Sequence, residues 1–136
     1  MKDVVVTDNQ TCYSVFSPDD KILVTSFRGI VNYSLMKDHI SNVLRFAEDN
    51  EILGAIVDFR KLRGSFYKLF DTIEQEAYPK FIAHGFKVQA LLVSDDILTG
   101  NLIDRLSLRL RKKGGVVQIF HQMEDARQWV IAQTEI

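Results

Sequence analysis

Asp58, Ser65, Cys12 and the three histidines His39, His84 and His121 are the side chains of this 136-residue chain to test first as base, nucleophile or metal ligand. Their spacing decides what each can do. The histidines fall on different predicted elements or their edges and form no HExxH pair, so no metal site is expected. No GxSxG elbow surrounds a serine, and Cys12 lies in a predicted strand with no partner visible in the sequence, which leaves covalent catalysis without a nucleophile. Glycine-rich phosphate loops of the forms GxGxxG and GxxxxGK[ST] are absent. The expectation is a protein that is not an enzyme and carries no cofactor.

Three local features remain. The tract Asp58-Phe59-Arg60-Lys61-Leu62-Arg63-Gly64-Ser65 runs from the C-terminal end of a predicted strand to a predicted helix N-terminus, the place where open α/β sheets gather ligands on free amides and the helix dipole. A solvated loop followed by an ordinary cap is the competing reading. Ser94-Asp95-Asp96 occupies the equivalent edge after the next strand, where acidic residues also simply complement a helix N-terminus. Arg105, Arg109, Arg111, Lys112 and Lys113 cluster toward the end of the following helix, as the macrodipole favours, or as a docking patch for an acidic partner would require. Phe66, Tyr67, Phe70, Tyr78, Phe81 and Phe86 make one helical region unusually aromatic. Core packing accounts for the inward rings, while an apolar groove or a dimer surface would use Tyr67 or Tyr78.

The elements that position these residues follow from hydrophobic period. Thr11 to Phe16 and Lys21 to Arg28 are rich in β-branched and aromatic residues, and Ser17-Pro18-Asp19-Asp20 between them has turn chemistry, which predicts a hairpin. Val4 to Thr7 reads equally as an extra short strand or a frayed lead-in. From Leu35, residues Met36, Ile40, Val43, Leu44 and Ala47 recur at helical spacing, with Asn32 or Ser34 as cap. Ile52 to Phe59 reads as a strand buried on both faces and Arg60 to Gly64 as a connection. Ser65 is placed to cap a helix carrying Phe66, Leu69, Phe70, Ile73 and Ala77, which must kink or restart near Pro79 before Gly85 ends it. Val88 to Ser94, a helix over Asp96 to Lys113, Val116 to Phe120 and a helix over Met123 to Gln133 complete the chain. The fold class is therefore α/β: a single domain over 1–136 with one mixed, mostly parallel sheet of four to five strands, an N-terminal hairpin and four helices, in the order β-β-α-β-α-β-α-β-α.

Composition narrows the partners. Seventeen basic against eighteen acidic residues give a formal net charge of -1, too small a field to hold nucleic acid by bulk charge. The one cysteine excludes an internal disulfide and fits a reducing compartment. Neither a signal-peptide pattern nor an uncharged apolar run of membrane-spanning length is present, so a cytoplasmic protein is expected.

The tracts Ala55-Ile56-Val57-Asp58-Phe59-Arg60, Val88-Gln89-Ala90-Leu91-Leu92-Val93-Ser94-Asp95 and Val117-Gln118-Ile119-Phe120, the last followed by Met123-Glu124-Asp125-Ala126-Arg127-Gln128-Trp129-Val130, resemble the STAS-like group across roughly Lys21 to Val130. These are small bacterial domains related to anti-sigma-factor antagonists that share a sheet architecture with lipid-transfer domains. The resemblance implies a regulatory or protein-interaction module, with a partner edge formed by Arg60 to Phe70 and Ser94 to Thr99 and carried by Asp58, Arg60, Arg63, Ser65, Tyr67, Phe70, Ser94 and Asp95. Anti-sigma antagonists place a phosphorylatable serine at the start of the helix after the central strand. Ser65 holds that place here, but Leu62-Arg63-Gly64-Ser65-Phe66 departs from their Asp-Ser-Ser-Gly turn, which assigns Ser65 to capping ahead of phosphorylation. The alternative function is a binder of a lipid or other apolar small molecule in a groove between the aromatic second helix and the sheet. Strand edges and exposed aromatics also invite a homodimer.

Overall fold

The computed structural model describes residues 2–135, excluding the side chains of Ile97 and Leu98. Strands β1 (Val4–Asp8), β2 (Cys12–Ser17) and β3 (Ile22–Ile30) lead into helix α1 (Tyr33–Asp49) and strand β4 (Gly54–Arg63). A 3-10 turn (Tyr67–Leu69), a π-helical segment (Thr72–Ala77) and helix α2 (Tyr78–Ala83) follow. Strand β5 (Val88–Leu92), helix α3 (Ile97–Lys112), strand β6 (Val116–Phe120) and helix α4 (Met123–Thr134) end the chain. Among the described residues the strands form one six-stranded sheet in sequential order. β1, β2 and β3 pair antiparallel, and β3, β4, β5 and β6 pair parallel.

Alternation along the strands sorts side chains between two faces. Phe27, Phe59, Leu91 and Val117 meet Met36 of α1, Tyr78 of α2 and Ile103, Leu106 and Leu110 of α3, while Phe16, Leu23 and Ala55 meet Val43 and Ala47 of α1. On the other face Ile22, Ile56, Val88, Ala90 and Leu92 pack against Ala126 and Val130 of α4. β4 and β5 are thus covered on both sides, which explains their nearly continuous apolar sequences.

Local chemistry sets the joints. The Asn9 side chain accepts from the amides of Thr11 and Cys12, both at 2.8 Å, closing the β1–β2 turn. Asn32 caps α1 by accepting from the Leu35 amide at 3.0 Å. Pro79 cannot donate a backbone hydrogen bond, and the chain just before it widens to π geometry, with the Tyr78 amide reaching back to the Ile73 carbonyl. The helix restarts with Pro79 in its first turn, and Gly85 at φ 99° ends the segment.

Several expectations are corrected. The sheet has six strands rather than four to five, because Val4–Asp8 is a strand, and the order becomes β-β-β-α-β-α-β-α-β-α once the kinked second region is counted as one helix. Arg60 to Arg63 is not a connection: it continues β4 beside Arg28, Gly29 and Ile30 of β3. Ser65 precedes the formal cap position, which is Phe66, although its Oγ accepts from the Tyr67 amide at 3.3 Å. Strand β5 stops at Leu92, two residues short of Ser94.

Candidate functional site

Asp58 is where β4 changes character. Ser26 pairs with Asp58 but Arg28 pairs with Lys61, so β4 carries one residue more than β3 here, a bulge around Phe59 and Arg60. The Asp58 carboxylate closes this bulge on itself. It accepts from the Arg60 amide at 3.0 Å and from the Arg60 guanidinium at 2.9 Å on each oxygen, a two-pronged charge-assisted pair. Burial would raise the Asp58 carboxyl, but the side-chain and backbone hydrogen bonds from Arg60, with the charges of Arg60 and Lys61, outweigh it and hold the group below its ordinary value. An acid held ionised by its own neighbour shapes a strand; it is poorly suited to proton transfer.

Beyond the bulge, rings anchor the chain. Phe27 stacks on Phe59, Phe59 on Phe66, and Phe66 meets Phe70 edge-on, with centroids 5.6, 5.1 and 5.5 Å apart. Tyr67 lies 5.1 Å from Phe70, and the Arg109 guanidinium sits over both rings at 5.5 and 5.4 Å. Arg109 also pairs with Asp71 at 2.9 Å and Glu74 at 3.4 Å. Phe70 is fully buried whereas Tyr67 is 49% exposed, so of the two only Tyr67 offers much surface. Ser65 is exposed between them and β4, with its carbonyl accepting from the Tyr33 hydroxyl at 2.6 Å.

The eight residues expected to form one edge do not converge. Phe59 faces α3 and Asp58, one step earlier, faces the side of α4, so Asp58 and the Ser65–Phe70 rings lie on opposite faces of the sheet. Arg63 ends β4 opposite Ile30, with its carbonyl accepting from the Val31 amide at 2.9 Å. Ser94 accepts from the Asp96 amide at 3.3 Å, and Asp95 lies 3.8 Å from His121 after β6. The α3 cations are largely engaged in structure: besides Arg109, Lys113 lies 4.0 Å from Glu74, and Arg111 donates twice to the Val117 carbonyl of edge strand β6, at 2.7 and 3.1 Å. Among the described residues no cluster of three metal-ligating side chains occurs, and no helix is long and apolar enough to cross a membrane. Cys12 is buried, and burial, partly offset by Arg28, pushes its thiol up to about 12, which makes it a poor nucleophile.

Two further features stand out, the first of them not visible in the sequence. The β3 and β4 extensions carry Ile30, 74% exposed, next to the exposed Lys61 and Arg63, with Tyr67 and Lys68 on the following turn. Only a strand pairing prolonged past the bulge brings Ile30 opposite Arg63. The second is a cavity of about 120 Å³ between the sheet and the helices α1 and α2, walled by residues such as Leu23, Val57, Leu69, Phe81 and Leu91. It lies where a groove under the aromatic second helix was expected. An engineered cavity of about 150 Å³ holds one benzene, so this space is too small for a long acyl chain.

No family model matches the chain, and no curated protein does. Solved structures do. An uncharacterized protein of the DUF3478 family with a SpoIIAA-like fold, from Shewanella loihica PV-4, is 14% identical, with 95% of this chain and 92% of that one covered at a TM-score of 0.52. SiaC of Pseudomonas aeruginosa is 18% identical, with 88% of this chain and 100% of that one covered at a TM-score of 0.47. The first likeness shows that the chain has the SpoIIAA-like, that is STAS-like, fold which the sequence resemblance implied.

Proposed function

We propose that the protein is a non-enzymatic regulatory module of STAS-like type that binds a partner protein through the ends of β3 and β4 and the turn that follows. The observation that carries this reading is Ile30, a large aliphatic side chain 74% exposed, beside the exposed cations Lys61 and Arg63. Tyr67, 49% exposed, is on the turn that follows β4. An aliphatic anchor beside cations is suited to a partner surface that is apolar at its centre and acidic around it. Asp58 and Arg60 support this surface from within by fixing the bulge, and Ser65 is exposed two residues after Arg63. A phosphate on Ser65 would place negative charge beside Arg63 and weaken the attraction for an acidic partner.

A photo-crosslinking residue at position 30 or 63, compared with one at position 19 in the β2–β3 turn, tests the site in cells. One partner is expected to be captured from both 30 and 63, not from 19, and to be lost when Lys61→Glu and Arg63→Glu are combined. Capture that is the same from all three positions, or unaffected by the charge reversal, overturns the reading.

A further inference from the structure

Among the described residues two side chains that line the cavity under α1 and α2, Gln89 and Tyr78, carry a buried polar atom with no hydrogen-bond partner. Gln89 is the second residue of β5, paired with Ala55 on one side and Val117 on the other, and both neighbours belong to the apolar core. Gln89 lines the cavity, and its side-chain Oε1 is buried with no hydrogen-bond partner. A buried amide oxygen without a partner is destabilising, and any aliphatic side chain at this position would avoid the cost. The sheet itself has no use for the amide: β5 completes its pairing through the backbone.

The other polar residues on the wall are Thr25, bonded to the Ser14 hydroxyl at 2.8 Å, His39, Tyr78 and the exposed His84. His39 is 7% exposed, its Nδ1 lies 2.9 Å from the Thr7 hydroxyl, and burial holds it uncharged by lowering it to about 4. The Tyr78 hydroxyl is pressed toward Gly115, where an added Cβ would sit 2.0 Å from it, and burial pushes it up to about 12. Among the described residues no lysine, arginine, aspartate or glutamate lines the space. A charged guest would find no carboxylate, ammonium or guanidinium there as a counter-charge. The space has an approach as well. Ile40 of α1 and Ala77 of the π-helical segment line both the cavity and a surface groove between α1 and that segment, so these two side chains separate the interior from solvent at a place where the helix is already out of regular geometry.

We propose that the cavity is a binding site for a small neutral molecule with a compact apolar body, about one ring in size, and a single hydroxyl that bonds the Gln89 amide. A hydroxyl both donates and accepts, so it satisfies the amide in either orientation. The volume limits the apolar body to roughly one ring, by comparison with the about 150 Å³ cavity that accepts benzene. The partner surface at the ends of β3 and β4 plays no part in this site, and either assignment can fail without the other.

Titration of the isotope-labelled protein with phenol and with benzene, followed by amide NMR shifts, tests the proposal. Phenol is expected to shift the amides of Gln89 and Leu91 saturably and at least tenfold more tightly than benzene. In Gln89→Leu that preference disappears while benzene still binds, and in Ala77→Leu, which extends a side chain into the space at its mouth, both bind at least tenfold more weakly. Absence of saturable shifts at cavity residues with either probe in the wild-type protein overturns the proposal. So does a preference for phenol that survives in Gln89→Leu, and this arm stands even if Ala77→Leu fails to fold.

Discussion

His39 shows how a residue type associated with catalysis serves structure. It sits on the buried side of α1, with its Nδ1 2.9 Å from the Thr7 hydroxyl of β1 and its ring edge-on to Phe27 at 5.6 Å. Asn42, one turn on, donates to the same hydroxyl at 3.2 Å. Burial lowers His39 from 6.5 to about 4. Between those values the unfolded chain takes up a proton that the folded one refuses, so stability is complete above about pH 6.5 and falls with pH toward 4. The loss by pH 4 is on the order of 3 kcal/mol from this group. Asp58 acts in a lower window: its folded value is depressed, so its contribution is present above the ordinary carboxylate range and lost as pH falls through the folded value. Urea denaturation at pH 7.0 and 4.5 separates the two. His39→Asn is expected to be less stable at neutral pH but nearly flat between these values, and a wild-type slope retained in the variant would show that His39 is not its source.

At the scale of elements, the joint between α2 and the α3–β6 turn is set by one close approach. A Cβ on Gly115 would lie 2.0 Å from the Tyr78 hydroxyl and 2.7 Å from its Cζ. Gly115→Ala is therefore expected to cost about 1–3 kcal/mol through overpacking. Tyr78→Phe removes a buried hydroxyl that has no hydrogen-bond partner, so alone it should be neutral or stabilising, and it should recover part of the Gly115→Ala loss. A double-mutant cycle by chemical denaturation measures this, and additive losses would remove Tyr78 as the cause. Elements with a clean period were legible beforehand: α1 from Met36, Val43 and Ala47, β6 as Val116–Phe120, and the break near Pro79. The end of β4 was not, because Arg60, Lys61 and Arg63 look like a solvated loop until a bulge and a paired β3 give them strand neighbours. The candidate edge failed to converge for the same reason. Strand alternation places Asp58 and Phe59 on opposite faces, and the register needed to see this depends on pairing across distant parts of the chain.

The whole molecule is asymmetric across its sheet, and this predicts how it opens. β4 and β5 are covered by α4 on one face and by α1, α2 and α3 on the other. At one edge, β6 has its Val117 carbonyl occupied by Arg111. At the other edge, β1 is held to α1 chiefly through Thr7, while Val5 is 54% and Tyr13 40% exposed on the side that α4 does not reach. A strand with one covered face and few buried apolar contacts belongs to the low-stability end of a protein's openings. Hydrogen exchange should therefore show β1, then β2, exchanging through a partial opening, with β4 and β5 exchanging only on global unfolding. Protonation of His39 favours the partial opening and the unfolded state alike, so lowering the pH from 7 to 5 should reduce β1 and β5 protection by similar factors once intrinsic exchange rates are corrected. Equal protection of β1 and β5 would mean that the sheet opens as one unit, and β1 protection that does not change between the two pH values would mean that its opening leaves the Thr7–His39 contact in place.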